Sequence, residues 1–347
     1  MILLTLFIFY LFCISPNITL GPRGSARHKR MKQFERYYIA HRGLFVKENH
    51  FNHSGSETGA ETLTGTDSDN VLKSDSQTGS ETIMGTGSEK ITETGSEASE
   101  PPQSPSGSVI QLIPENSMQA FKRAVESGYG IELDVQLTKD HKLVVFHDKT
   151  LKRMCGINKK ISACTFEELQ AYGLAGTEEK IPLFKDVLNL VKGRVPLIVE
   201  IKEHGKWKNN AHSAAKHLDW YMQKYGSGRG QNDPLFCVES FHPGVVAWFR
   251  AHRRDFLRGQ LGSDYMREKV NSPFSSRFIV SNLLLNWAGR PDFIAYNCLY
   301  ADQFTYKLVR RLFKTEHVAW TVRSQEQLDS LRDLYQVFIF EGFLPKN

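Results

Sequence analysis

Eight short apolar, β-rich runs recur along the 347-residue chain, at 37–40, 130–135, 196–201, 235–239, 257–261, 293–296, 317–322 and 337–340. Most of the gaps between them carry helical patterns. Strands alternating with helices make a parallel sheet, because each parallel connection needs a crossover long enough to hold a helix. The helix after Pro114 is the plainest: Ala120, Phe121, Ala124 and Val125 form its apolar stripe, and Gly128 stops it. Asn116 is the expected N-cap, with Gln119 at the capping-box position. Tyr37–Phe45 and Ile113–Asn347 together make 244 residues. That matches the ~250 residues of a TIM (β/α)8 barrel. The expected fold is therefore α/β with eight parallel strands, closed into a barrel, an open doubly wound sheet being the alternative.

The stretch from 46 to 112 interrupts this pattern. It holds 11 acidic and 3 basic residues, and Thr-Gly-Ser-Glu recurs at 78, 86 and 94. With one aromatic residue, Phe51, it has too little apolar surface to offset the entropy of ordering. It reads as a low-complexity disordered insertion within a 37–347 barrel, in the loop after the first strand. Its charge of −8, against +6 for the whole chain, leaves a body of +14. A basic body suits an anionic substrate or membrane surface. No nucleic-acid partner is expected, since Lys and Arg are spread along the chain without a binding motif. Five cysteines without CxxC spacing exclude a disulfide framework and a structural zinc site. Nothing in the sequence sets the oligomeric state.

Residues 1–22 read as a membrane anchor or signal segment, and 23–36 as a basic juxtamembrane linker. Ile2–Leu20, taken as one helix, would span about 28 Å, just enough for a hydrocarbon core. No basic residue precedes the apolar run, whereas Arg23, Arg27, Lys29, Arg30, Lys32 and Arg36 follow it. A secretory signal wants a basic start, so the expectation is a single-pass anchor with the barrel on the cytoplasmic side. Export after signal cleavage is the alternative.

Charged residues at the carboxyl ends of the runs demand explanation, because buried parallel strands are ordinarily aliphatic throughout. Glu132 and Asp134 lie two apart and share one strand face, as do Glu200 and Lys202; the first run leads into His41-Arg42-Gly43. Three carboxylates at one barrel end cannot all stay ionised without a cation. Glu132, Asp134 and Glu200 are hard oxygen donors suited to one divalent cation, Mg2+ or Ca2+, with Mn2+ a further candidate. His41 and His147 abut this cluster and read as a general acid and base pair. Arg42 and Lys202 supply fixed positive charge for phosphate oxygens. The set describes phosphodiester cleavage: one imidazole deprotonates the nucleophile and the other protonates the departing oxygen.

The series His41-Arg42-Gly43, Pro114-Glu115-Asn116-Ser117, Glu132-Leu133-Asp134, His147-Asp148, Ile181-Pro182, Glu200-Ile201-Lys202 and Trp320-Thr321-Val322 resembles the glycerophosphodiester phosphodiesterase family. The resemblance implies a TIM-barrel hydrolase that releases glycerol 3-phosphate and an alcohol from a small glycerophosphodiester, using a divalent cation. It implies Glu132, Asp134 and Glu200 as metal ligands, His41 and His147 as the acid–base pair, and Arg42 and Lys202 as phosphate contacts. Glu115 would orient Arg42 or the metal shell, and Trp320 would wall the glycerol. The chain departs from the family pattern in separating His-Arg-Gly from Pro-Glu-Asn by the insertion. It also places Glu341, where the family commonly has Asp, after the last strand, and Arg323 after Trp320-Thr321-Val322. Alternatives are a phospholipase D-like or phosphoinositide-specific lyase on a similar barrel, and a catalytically inactive phosphodiester-binding barrel.

Overall fold

Eight parallel strands close on themselves: β1 (Tyr38–Ala40), β2 (Gly130–Leu137), β4 (Leu197–Ile201), β5 (Phe236–Ser240), β6 (Leu257–Gly262), β7 (Phe293–Asn297), β8 (Glu316–Val322) and β9 (Val337–Phe340). Each pairs with its neighbour, and β1 pairs with both β2 and β9, which shuts the barrel. All eight expected runs are barrel strands. A ninth, β3 (Leu143–Val145), folds back antiparallel on the outer end of β2. This computed structural model describes residues 2–17, 22–47, 112–226 and 233–346. The chain divides into two units, Met1–Ala60 with Gln111–Asn347, and Glu61–Ile110. The second unit lies outside the described residues, as do residues 48–111 of the expected insertion. At its edges Val46 and Ile113 form an antiparallel bridge.

The helices are α1 (Ile2–Ile14), α2 (Pro22–Met31), α3 (Met118–Glu126), α4 (Lys152–Cys155), α5 (Phe166–Gln170), α6 (Phe184–Val191), α7 (Trp207–Tyr225), α8 (Pro243–His252), α9 (Phe274–Ser281), α10 (Asn286–Gly289), α11 (Phe304–Leu312) and α12 (Gln325–Leu331). Strand alternation divides the core in two. Outward residues such as Leu133, Val199, Val238 and Ile294 pack under the helices. Inward residues Ile39, Ile198, Cys237, Leu257, Phe293, Val318 and Val337 fill the barrel floor, where Met31 and the fully buried Phe34 join them. Thus the basic stretch expected as a linker forms α2 and a 3-10 turn, Lys32–Arg36, and its apolar residues plug the amino end of the barrel. All five cysteines are free.

Two expectations are corrected. Ser117, not Asn116, caps α3: its hydroxyl accepts the Ala120 N–H, and Asn116 instead takes a positive φ of 55°. The single-pass anchor is also overturned. Among the described residues no helix is long and apolar enough to cross a membrane. The helix α1 has 13 residues, about 20 Å against a core of about 30 Å. Ser15-Pro16-Asn17 lie beyond its end. Ser15 turns back to the Phe12 carbonyl, and proline cannot continue the helical bonding. The chain then docks on the barrel wall. Asn286 donates to the Ile14 carbonyl, Arg290 to Ser15, and Asn17 to Asp292. The membrane partner and the cytoplasmic topology inferred from the longer helix fall with it.

Candidate active site

The inward rows of β2 and β4 reverse character toward the carboxyl end. Glu132, Asp134, Glu200 and Lys202 replace the aliphatic residues of the floor, and all four are buried. Register sets Asp134 beside Glu200. One oxygen from each of Glu132, Asp134 and Glu200 lies within 4.8 Å of the others. Lys202 Nζ is 2.8 Å from Glu200 and 3.2 Å from Asp134. Burial pushes Glu132 well above the usual carboxylate range, and Asp134 and Glu200 push it further. Burial likewise raises Glu200, to about 7, against the pull of Lys202. Asp134 is held low: burial works against its charge, but Lys202, Arg42 and an Asn116 hydrogen bond overcome it. Lys202 and Arg42 bring two positive charges to these three carboxylates, and Arg42 is shared with Glu115, so negative charge remains in excess. The all-oxygen donor set fits a hard divalent cation. So does the neighbouring Asn116, whose Nδ2 donates to Asp134 at 2.8 Å while its buried Oδ1 has no hydrogen-bond partner.

The two histidines are held in the same way, each with Nδ1 on a carboxylate. His41 Nδ1 is 2.7 Å from Glu341, and its Nε2 lies 3.9 Å from Glu132. His147 Nδ1 is 2.7 Å from Asp148. A carboxylate on Nδ1 fixes the ring and leaves Nε2 for chemistry. Burial and the charge of Lys202 hold the His147 imidazole down at about 4. Although burial opposes it, the His41 contact keeps Glu341 ionised far below the usual range. Arg42 enters through its positive φ of 54°. Its backbone N–H donates to Glu132, Nη1 to Glu115 at 2.7 Å, and Nε lies 3.6 Å from Asp134. Burial disfavours the charge on Glu115, yet Arg42 and Arg153 bring it down to about 2. Arg153, on α4, also clasps Asp148 through two nitrogens, so it links both arms of the site.

The structure brings together His41, Arg42, Glu115, Glu132, Asp134, His147, Glu200 and Lys202. Trp320 stands apart on the inner face of β8, donating to the Ala295 carbonyl. Its ring meets Phe241 edge-on at 5.4 Å, and Phe241 stacks on Tyr265. It thus belongs to an aromatic wall and makes no hydrogen bond to the carboxylates. Three further groups belong to the site. Glu341 follows the last strand as His41 follows the first, so the strand-end signal points to it. Asn116 has the chemistry of an N-cap but turns inward to Asp134. Arg153 lies in a short helix with no such signal.

An eight-stranded parallel barrel carries at its carboxyl end an acidic triad that could hold a metal ion, together with two carboxylate-backed histidines. Residues 107–339 match the family model described as the glycerophosphoryl diester phosphodiesterase family, and the chain belongs to that family. A glycerophosphodiester phosphodiesterase of Bacillus altitudinis is 43% identical over 146 residues, 39% of this chain and 56% of the relative. The human protein named lysophospholipase D GDPD1 is 37% identical over 101 residues, 25% of this chain and 32% of its own length. The chain thus spans about half or less of the curated relatives it matches. Among solved structures, a glycerophosphoryl diester phosphodiesterase of Agrobacterium tumefaciens has a TM-score of 0.52 at 15% identity, covering 65% of this chain and 87% of its own. An Oleispira antarctica phosphodiesterase in complex with sn-glycerol-3-phosphate has a TM-score of 0.50 at 18% identity, with the same coverage. Both share the barrel fold.

Proposed function

We propose that this chain hydrolyses glycerophosphodiesters to glycerol 3-phosphate and an alcohol with the help of one divalent cation. The observation that carries the reading is the paired geometry: two imidazoles, each backed by a carboxylate at 2.7 Å, at the barrel end that holds a buried three-carboxylate cluster. Family membership and the activities named for its relatives support it.

Glu132, Asp134 and Glu200 would hold the cation, Mg2+, Ca2+ or Mn2+. When bound, such an ion supplies positive charge that polarises the phosphoryl group. The rest is the work of this chain's side chains. Arg42 and Lys202 present fixed charge to the phosphate oxygens. One imidazole takes the proton of the attacking hydroxyl or water, and the other delivers a proton to the departing oxygen, each through Nε2. Glu341 and Asp148 orient the rings and stabilise their charged forms. Glu115 holds Arg42 in place, and Trp320 with Phe241 offers an apolar face to the carbon skeleton of the glycerol.

Assaying the purified chain on several glycerophosphodiesters, with and without chelator, tests the reading. Hydrolysis is expected to vanish in EDTA and return with Mg2+, Ca2+ or Mn2+. Full activity in chelator would remove the metal from the mechanism. Release of a cyclic phosphate in place of glycerol 3-phosphate would replace the hydrolase with a lyase.

A further inference from the structure

The acidic cluster has a fourth member that the mechanism above does not use. In β5, Phe236 and Val238 pack outward and Cys237 packs inward, so alternation aims Glu239 into the barrel. Register places it directly beside Glu200 on one side and Gly259 on the other, one strand further from Asp134. The side chain is 2% exposed, and its Oε2 accepts no hydrogen bond.

Among the described residues no donor reaches that oxygen. Gly259 offers no side chain, and the Phe293 ring fills the space where a Cβ would stand. The Gln260 amide is committed to the carbonyls of Ser240, Phe241 and Leu261. Lys202 is engaged by Glu200 and Asp134. Glu239 therefore lies between an apolar wall and other carboxylates, and a bare carboxylate oxygen in such a place is strongly destabilising unless positive charge arrives. The triad is where that charge would be held.

We propose that Glu239 is a positioning residue of the metal centre: a fourth carboxylate, beside Glu200 on the next strand, that tightens cation binding without being a primary ligand. It stands outside the set of oxygens within 4.8 Å of one another, which contains only Glu132, Asp134 and Glu200. It acts on the ion through its field and through the shell around it, as groups just beyond the ligands commonly do. The inference rests on the metal-centre reading of the triad. A neutral Glu239 that merely fills space makes the opposite prediction, since an amide would fill that space equally well.

The test is calorimetric titration of Mg2+ and of Ca2+ into the wild-type chain and Glu239→Gln, with thermal melts of both in EDTA. Glu239→Gln is expected to raise Kd about tenfold or more. At saturating cation its kcat should stay within about threefold of wild type, as befits a group that does not touch substrate. In EDTA it should melt no lower than wild type, because the amide fills the space of the carboxyl. Glu239→Met, of similar size, repeats the measurement if the amide packs poorly, with the same expected loss of affinity. A Kd within about twofold of wild type would overturn the role of Glu239 and leave the triad standing. Failure of the wild-type chain to bind either ion would overturn both.

Discussion

The floor and the mouth of the barrel are built from the same inward-facing strand rows, yet they obey opposite rules. At the floor, Ile198, Cys237, Leu257 and Phe293 surround the buried Phe34. Two residues further along the same strands stand Glu200 and Glu239, both buried, and burial and the Glu200 charge push Glu239 well above the usual carboxylate range. Burial that stabilises an aliphatic side chain by about 1.5–3 kcal/mol costs free energy for a carboxylate without a counter-charge. The floor therefore supplies stability that the mouth consumes. Crowding of like charge at the mouth is what a bound cation would relieve.

The largest effect that would break this contrast lies at the mouth. His41→Ala and His147→Ala should each lower kcat by ~10²–10⁴ while the circular dichroism spectrum stays barrel-like. Comparing an alkyl with a nitrophenyl leaving group then assigns the roles: the variant lacking the general acid recovers most on the better leaving group. A loss under threefold for either variant on the alkyl ester would remove that imidazole from the chemistry.

At the floor the expectation reverses. Phe34→Ala should cost about 3–5 kcal/mol of stability in urea denaturation, with kcat per folded molecule unchanged. Lost activity at full folding would mean that floor and mouth are coupled.

The outer layer provides a third term in the comparison. His317, on β8, packs edge-on against Tyr306, and neither ring nitrogen has a hydrogen-bond partner. Burial, with the Arg310 charge adding, lowers it from 6.5 to about 3. The unfolded chain takes up this proton below pH 6.5 and the folded one does not until about pH 3. The resulting stability is complete above pH 6.5 and is lost as pH falls toward 3. Between pH 6.5 and pH 5 the loss should be about 2 kcal/mol. His317→Leu should remove that share of the acid sensitivity, separating the titration of the fold from that of the site. An unchanged stability–pH slope in the variant would count against it.

The smallest effect concerns the acidic segment. Val46 and Ile113 already pair across its ends, and closure entropy grows only slowly with loop length. Deleting Asn49–Ser106 should move Tm by no more than a few degrees. A collapse of the fold would show that the segment belongs to the barrel's core.

Much of this is legible in the sequence. Strand periodicity alone put Glu132 and Asp134 on one face, and Glu200 and Lys202 on one face. The apolar stripe of α3 was visible through Ala120, Phe121, Ala124 and Val125. What misled was the assumption that a local signal has one local meaning. Asn116 has the right chemistry for a cap, but Ser117 takes that place and Asn116 turns inward to Asp134. The apolar run after Met1 has the composition of a span, but Ser15 and Pro16 end it after 13 residues of helix.

The sequence by itself determined the eight runs that become barrel strands, their alternation with helices, and which carboxylates share a strand face, because periods of 2.0 and 3.6 residues are properties of neighbours along the chain. Only the tertiary structure decided what met across the closure. It paired His41 with Glu341, 300 residues away, set Arg153 between Glu115 and Asp148, and left Glu239 facing its own kind. Those relations depend on strand register and on where the ends of the sheet join. Neither is written in the spacing of residues within any single strand.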